Sequence, residues 1–475
     1  MPHKIFTRTV CRTIPIILSA AAVFARADIT PEPLFFDPAD TAPPPIAAPE
    51  SVGSPSLPSV QSVPPAASVE AQINRAVIAR DWGTLESLLA QYRTQPQHDT
   101  ILYRYALGAL RRSQLRHSEA VALYRSILAE RGDLAYPRFD LGIMLFENRQ
   151  YREAAVEIAQ AKPQLNAPLQ HVAQQYLDEI SRNQKWQPEF GATYERNGNV
   201  NNASDEREVV INGRRFTKNP DALPQKAHGI RYQVGLSRDW NVRGNHFAVL
   251  GIGLDGVHYW DNQGYSENIL RVQVGYRHRT ARRTWSIVPF AEQNWLGNAR
   301  YSRHFGAAAE FSYRITQKWQ ISSDFSHRQK RYRENALAGR YNGYLNAVSL
   351  NVLWQPAPEW VLQIGADGST DTVRDRSESS VRKGVHWGVA YRHRQWGMQG
   401  YIRYGTRRFR RENFFSGSTR SDKEYQVNVA VWHNRLAWKG FVPKLNYRFS
   451  KIDSNIPSLY SRQTGIWFVS VDKLF

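Results

Sequence analysis

The stretch IRYQVGLS, from Ile230 to Ser237, alternates strictly between apolar side chains and polar or small ones, and LRVQVGYR, from Leu270 to Arg277, does the same. A period of two places the apolar set on one face of a β-strand and the polar set on the other. A strand in a transmembrane β-barrel needs this pattern, because one face meets lipid and the other meets the lumen. Segments of this kind follow one another to Phe475, so the pattern predicts an outer-membrane β-barrel over residues 186–475.

The number of such segments indicates the size of the barrel. Bacterial barrels of one chain have an even number of antiparallel strands with short periplasmic turns. We predict fourteen strands, at 187–197, 228–240, 246–259, 267–279, 284–295, 303–315, 319–331, 341–355, 360–371, 384–393, 396–409, 422–433, 436–451 and 460–475.

The connections between these segments alternate in length, which predicts an orientation. Turns such as 394–395 are short, whereas polar loops such as 198–227 are mostly longer. Short turns lie in the periplasm, so both barrel ends and everything N-terminal to the barrel should face the periplasm. Eight tryptophans adjoin the short turns and should form the inner aromatic girdle: Trp240, Trp285, Trp319, Trp354, Trp360, Trp396, Trp432 and Trp438.

The last predicted strand carries an assembly signal. Trp467, Val469, Val471 and Phe475 fall on one face and end at the carboxyl terminus. This pattern resembles the signal by which the bacterial barrel-assembly machinery recognises its substrates. That machinery is therefore an expected partner during biogenesis.

The N-terminus indicates export. Three basic residues precede an apolar run over 14–25, and a small-x-small site ends at Ala27, so residues 1–27 are predicted to be a signal peptide. The run is too short to cross about 30 Å of hydrocarbon as a helix. The only cysteine, Cys11, lies inside this segment, so no disulfide is expected in the mature chain.

Residues 28–67 hold eleven of the 25 prolines and little that could form a core. This composition predicts an extended, Pro-rich linker. No segment after residue 27 approaches the roughly 18 consecutive apolar residues of a membrane helix.

Between 68 and 185 the hydrophobic period changes to that of a helix. The dipeptide LG at 107 recurs at 141, and EA at 119 recurs at 153, so two independent pairs share a spacing of 34 residues. That spacing is typical of tetratricopeptide repeats, in which small residues let paired helices approach closely. We predict a short solenoid with two full repeats, a preceding helix pair at 69–80 and 84–93, and a final helix at 169–182.

A stack of helix pairs has a concave face that can hold an extended segment of a partner. The residues expected on this candidate client-binding groove are Tyr105, Arg112, Tyr136, Phe139 and Phe146. For each of them, packing between the repeats is an equally good interpretation.

The positive charge belongs to the barrel region. Residues 186–475 carry 43 basic and 24 acidic side chains, whereas 68–185 carry 15 and 13. By alternation a set of arginines should point into the lumen and favour an acidic passenger: Arg231, Arg271, Arg277, Arg314, Arg328 and Arg403. The alternative is that these arginines pair with inward Asp239, Glu310, Asp324 and Glu424, while loop cations bind lipopolysaccharide phosphates. Nucleic acid is not an expected partner of an exported barrel.

Motifs that could indicate catalysis occur in the wrong context. GIGLDG at 251–256 matches a dinucleotide-binding pattern but lies within a predicted strand. SVRK at 380–383 lies in a predicted loop, and the histidines lack the spacing of metal ligands. We therefore expect no catalytic residues, no cofactor and no metal site.

The combination of these features resembles a known family. A signal peptide, a short tetratricopeptide domain with its LG and EA pairs, and a fourteen-stranded barrel that begins near WQPEF at 186–190 and ends at Phe475 look like the surface lipoprotein assembly modulator (Slam) family. The resemblance implies a multidomain α + β protein of the outer membrane, with its N-terminal domain in the periplasm. It implies a translocon that moves lipoproteins, or soluble proteins such as haem-capture factors, to the cell surface without a nucleotide. The client and periplasmic chaperones are the partners it suggests.

Two other functions fit parts of the sequence. An exopolysaccharide exporter also joins tetratricopeptide repeats to a barrel, although such systems usually carry longer arrays. A passive porin needs only the barrel and has no evident use for the helical domain.

Overall fold

The computed structural model describes residues 68–211, 214–414, 416–438 and 441–473. The predicted signal peptide and Pro-rich linker lie outside the described residues, as does Phe475. The described chain folds as an N-terminal helical part followed by a β-barrel. Among the described residues, none of the helices has the length and apolar character needed to cross a membrane.

The helical part consists of three helix pairs and a longer final helix. Side-chain oxygens of Ser68, Asp99 and Asn166 accept hydrogen bonds from backbone N–H groups at helix starts, which satisfies donors without intrahelical partners. The helices are α1 (Val69–Ala79), α2 (Trp82–Tyr92), α3 (Thr100–Ser113), α4 (His117–Glu130), α5 (Ala135–Glu147), α6 (Tyr151–Ala161) and α7 (Ala167–Gln184).

Small residues allow the paired helices to approach closely, as the repeat pattern predicts. A Cβ added to Gly108 in α3 would lie 2.5 Å from the Tyr124 ring of α4. One added to Gly142 in α5 would lie 3.2 Å from the backbone nitrogen of Ile158 in α6, and closer still to its side chain. Ala120 and Ala154 are fully buried at the same two junctions.

Within the described residues, fourteen antiparallel strands form a closed barrel, in which strands that are consecutive along the chain are neighbours and the first strand meets the last. The predicted number of strands is confirmed. The barrel strands are β1 (Gln187–Asn197), β4 (Ala227–Arg243), β5 (His246–Tyr259), β6 (Glu267–Arg279), β7 (Arg283–Leu296), β8 (Ala299–Arg314), β9 (Trp319–Tyr332), β10 (Gly343–Trp354), β11 (Trp360–Val373), β12 (Ser380–His393), β13 (Trp396–Glu412), β14 (Thr419–His433), β15 (Phe441–Ser454) and β16 (Arg462–Lys473).

Several loops contain structure that the alternation did not predict. The long loop after β1 carries a separate hairpin, β2 (Glu208–Ile211) and β3 (Arg214–Thr217). A short helix, α8 (Asn335–Tyr341), occupies the loop where β10 was expected to begin, and α9 (Pro457–Tyr460) precedes β16. The predicted start of β15 was five residues too early.

The barrel wall has an apolar outer face and a polar inner face. Ile230 and Val234 of β4 are 47% and 46% exposed, whereas Glu195 on the opposite face of the neighbouring β1 is 4% exposed. Seven of the eight predicted girdle tryptophans are exposed, and six of these lie in barrel strands on the outer face. The expectation for Trp432 is wrong, because its half-buried ring packs beside Gly397 on the face that carries Glu424.

Candidate functional site

The helical part is attached to the barrel through the turn between β4 and β5. The Arg152 guanidinium donates a hydrogen bond to the Val242 carbonyl at 2.6 Å. The Gly244 N–H donates to Glu153 Oε1 at 2.8 Å, and Gly244 has a positive φ of 53° that suits a tight turn. These contacts join the first turn of α6 to the barrel rim.

An apolar contact reinforces this attachment. Phe247, the second residue of β5, is 1% exposed and belongs to the same buried cluster as the core of the helical part. Its ring lies edge-on to Tyr151, with centroids 6.0 Å apart. Beside it, the Ala281 N–H of the next short turn donates to Asn148 Oδ1 at 3.2 Å. The helical part and the barrel therefore share one core at this rim.

Two of the predicted groove residues are not available to a partner. Phe139 and Phe146 of α5 are each 4% exposed and pack edge-on against Tyr176 of α7. The final helix covers the face of α5 that the repeat pattern left open. For these two residues the structure agrees with packing between helices and not with an open groove.

The other three groove residues remain at least partly accessible. Tyr136 is 38% exposed at the start of α5. The Tyr105 hydroxyl donates to Asp140 Oδ2 at 2.8 Å. Arg112 makes a bidentate pair with Glu147, at 2.8 and 2.6 Å. These contacts fix α3 against α5.

The two carboxylates at this junction, Glu147 and Asp140, have pKa values that are shifted in opposite directions. Burial alone would raise the pKa of Glu147, but the charge of Arg112 and a hydrogen bond from His117 outweigh it and hold the pKa at about 2. Burial raises the pKa of Asp140, and the hydrogen bond from Tyr105 opposes that shift only in part. Glu147 is thus the carboxylate whose charge stabilises the repeat junction.

Five of the six predicted lumen arginines form ion pairs with carboxylates across the inner face. Arg231 pairs with Glu195 at 2.7 Å. Arg271 and Arg328 both approach Glu292 at 3.4 Å, where Glu292 also contacts His304. The alternative of an internal charge network therefore describes these residues better than a free basic surface.

The same holds for the remaining predicted arginines that form pairs. Arg277 pairs with Asp239 at 2.5 Å and with Glu310 at 3.3 Å. Arg403 contacts Asp367 at 2.7 Å and Glu424 at 3.2 Å.

Arg314 shares the inner face with Glu310 and lies near the periplasmic end of β8. Buried Asp324 also lies on the inner face.

Inward residues that we did not single out complete the network. Lys330 of β9 lies 2.6 Å from Asp371 of β11, and both are buried. Arg382 of β12 pairs with Glu424. The period of two already places them inside, but their partners lie 41 and 42 residues away. Sequence alternation cannot identify such pairs.

Two of the four residues of the predicted assembly signal have described side chains, and both lie on the outer face of the C-terminal strand. Trp467 and Val469 are exposed, and the Trp467 ring lies 4.5 Å from that of Tyr447 on β15. The side chain of Val471 and the whole of Phe475 lie outside the described residues.

Other motifs do not form a chemical site in the described chain. The glycine pattern at 251–256 lies within β5. Among the described residues, no group of three or more His, Cys, Asp or Glu side chains is arranged to hold a metal ion.

Comparison with known proteins identifies both parts. Residues 186–475 match the family described as "Surface lipoprotein assembly modifier", and residues 61–158 match its "N-terminal TPR repeats". A surface lipoprotein assembly modifier of Pasteurella multocida is 30% identical over 412 residues, which cover 80% of this chain and 78% of that protein. "Surface lipoprotein assembly modifier 1" of Haemophilus influenzae is 28% identical, covering 84% and 83% of the two chains. The "Hemophilin secretion modulator" of Acinetobacter baumannii is 22% identical, covering 81% of each chain. The chain belongs to the surface lipoprotein assembly modifier family.

Proposed function

We propose that this protein is a translocon that delivers a surface lipoprotein, or a related soluble haem- or metal-acquisition protein, from the periplasm to the cell surface. The observation that carries the proposal is the attachment of a repeat domain to the barrel rim through a shared core at Phe247. A partner bound to the helices would be held beside the barrel and not released into the periplasm. The names of the relatives support the same class of client.

The protein resides in the outer membrane, and its tetratricopeptide domain lies in the periplasm. No nucleotide is available in that compartment to drive transport. The directional free energy must come from a process such as folding of the client outside the cell. Transport of this kind requires no chemical step at any residue of the protein.

In this proposal the helical domain captures the client or a chaperone that carries it. The accessible Tyr136 offers an aromatic ring, and Tyr105 and Arg112 lie on the helix that packs beside it. Extended segments bind such repeat surfaces through side-chain contacts along the helices. The barrel then provides the route across the membrane.

The inner face of the barrel argues against a passive porin. Arg403 is 1% exposed, and Lys330 and Asp422 are equally buried. A water-filled channel would leave charged lumen residues accessible, as porin lumens do. Here Lys330 and Arg403 are instead packed against carboxylates of neighbouring strands.

The proposal is tested by shaving intact cells with protease and identifying the released peptides by mass spectrometry. Wild type, a deletion of this gene and the complemented deletion are compared, with total lipoprotein levels followed in parallel. We expect one or a few proteins to disappear from the surface of the deletion strain while remaining in the cell, and to return on complementation. An unchanged surface and secreted proteome would contradict the proposal, and a loss of surface glycan would support an exporter instead.

A further inference from the structure

The barrel closes with one junction that differs from the others. Among the described residues, β1 and β16 share a single register pair, Thr193 with Ser470. By contrast, β1 forms eleven register pairs with β4 on its other side, and β16 forms twelve with β15. The closing junction therefore has few of the backbone hydrogen bonds that hold the other strands together.

Both strands extend beyond this single pair, so the short ladder is not caused by either strand ending early. Continued from Thr193 and Ser470, the antiparallel register would place Glu195 opposite Phe468 and Arg196 opposite Trp467, and all four residues lie within their strands. Both strands thus present edges to each other without a continuous ladder.

Each edge strand is instead tied to its own neighbour. Glu195 of β1 pairs with Arg231 of β4 and accepts a hydrogen bond from the Tyr259 hydroxyl of β5 at 2.8 Å. On the other side, Asn446 of β15 donates to the Ser470 hydroxyl of β16 at 2.9 Å. Opening the junction would leave these side-chain contacts intact.

The facing segment of β16 is apolar on both faces. Ile466 and Phe468 share the inner face with Ser470, while Trp467 and Val469 are on the lipid side. Phe468 lies under the Arg448 guanidinium, 5.1 Å from its ring centroid. Ile466 and Phe468 thus give this edge an apolar inner surface beside the short ladder.

The periplasmic end of the same junction adjoins the helical domain. Helix α7 ends at Gln184 and β1 begins at Gln187. Gln184 Oε1 accepts a hydrogen bond from the Asn241 N–H near the end of β4 at 3.0 Å. The chain therefore passes from the helical domain into one of the two strands of this junction after only two intervening residues.

We propose that the β1–β16 junction is a docking edge for an extended strand of the translocated protein, which pairs with β16 and leaves sideways through the opened seam. Unpaired strand edges bind extended chains by backbone hydrogen bonds, and the neighbouring pockets select side chains. The apolar face of β16 fits a client strand with alternating apolar residues. This inference rests on the proposed function and specifies the route that the client takes.

A reversible covalent lock tests the proposal. Thr193→Cys with Ser470→Cys places thiols on directly opposed residues, whose Cα atoms should be about 4.5–5.5 Å apart, within the range of a disulfide. The only native cysteine is Cys11, in the predicted signal peptide. We expect oxidised cells with this pair to lose surface display of the client to the level of the gene deletion, and to regain it after reduction.

The matched control locks a junction that is already continuous. Ser450→Cys with Thr464→Cys joins opposed residues of β15 and β16 and should leave display unchanged in either redox state. Barrel assembly of every variant is checked by heat-modifiable mobility. Full display with the seam disulfide formed would overturn lateral exit, whereas absence of any gene-dependent display in wild type would overturn the proposed function itself.

A second measurement decides the matter if the seam disulfide does not form. A photo-crosslinking amino acid replaces Trp467 at the seam or Trp396 on β13, both of which are exposed. We expect crosslinks to the client from position 467 and none from position 396. Equal crosslinking from both positions, or none from either in cells that display the client, would overturn the docking edge.

Discussion

Gly142 shows how one residue fixes the distance between two repeat helices. An added methyl group would overlap the Ile158 side chain and crowd its backbone nitrogen. Overpacking of this kind costs about 1–3 kcal/mol, which exceeds the gain in helix propensity of alanine over glycine. We expect Gly142→Ala to lower the free energy of unfolding of the helical domain by about 2 kcal/mol. Far-UV circular dichroism melts of the detergent-solubilised protein measure this change.

Gly83 provides the matched control for that substitution. It lies in the first turn of α2, where an added Cβ would meet nothing closer than Asp81 Oδ1 at 3.9 Å. Gly83→Ala should therefore be neutral or stabilise by about 0.5–1 kcal/mol. Equal destabilisation by both substitutions would show that helix–helix distance is not the cause.

The ion pair of Glu147 should make the stability of the helical domain depend on pH. Its folded pKa of about 2 lies below the ordinary value of 4.5, so its stabilisation is complete above pH 4.5 and is lost as the pH falls towards 2. The shift corresponds to about 3 kcal/mol. Asp140 acts with the opposite sign, because its raised pKa makes the ionised form unfavourable and acid relieves that cost.

Glu147→Gln tests this assignment. The amide keeps the shape of the side chain but loses the charge that pairs with Arg112. The helical domain should therefore melt at a lower temperature than wild type at pH 7. The difference from wild type should shrink between pH 4.5 and pH 2.5. Melting curves that fall in parallel with pH would show that another group causes the acid sensitivity.

The sequence identified aromatic and basic candidates for the groove, but it could not show which of their side chains would be accessible. Phe139 and Phe146 are covered because α7 packs its Tyr176 between them. The repeat period describes neighbours within the stack and contains no information on where a terminal helix will lie. Only Tyr136 keeps the exposure expected of a binding residue.

Elements were predictable where a strict period imposed them. A membrane strand must alternate along its whole length, so all fourteen strands of the barrel left a signal. The β2–β3 hairpin and helix α8 left none, because short elements outside the membrane need no continuous apolar face. Alternation placed Asp239, Glu310 and Glu424 on the inner face but could not match them to particular arginines. Asp367 was missed, because it lies 36 residues from Arg403 and the two meet only through strand pairing.

Phe247 connects a barrel strand to the core of the helical domain, so its substitution measures how strongly the two are coupled. Phe247→Ala removes a fully buried ring shared by β5 and the helical core, which should destabilise the helical domain by about 3–5 kcal/mol. The barrel itself should assemble normally, as judged by heat-modifiable mobility. Phe311→Ala on the lipid face of β8 is the control and should leave the helical melt unchanged. A normal helical melt for Phe247→Ala would contradict a shared core.

In the whole molecule, the helical domain must act together with the barrel for translocation to occur. A chain that lacks residues 68–185 but keeps the predicted signal peptide should still insert into the outer membrane. It should not restore display of the client in the deletion strain, because nothing holds the client at the rim. Whole-cell protease shaving measures the outcome. Normal display by the truncated chain would limit the function to the barrel alone.

The most direct test of translocation uses proteoliposomes that contain this protein as their only membrane protein. The client identified by surface shaving is supplied, with its periplasmic carrier, on the side of the helical domain, and protease is added after incubation. We expect a fraction of the client to become protected inside the vesicles, and vesicles with the seam locked to protect none. Complete digestion of the client in vesicles that contain the correctly folded protein would contradict the claim that this chain is itself the translocon.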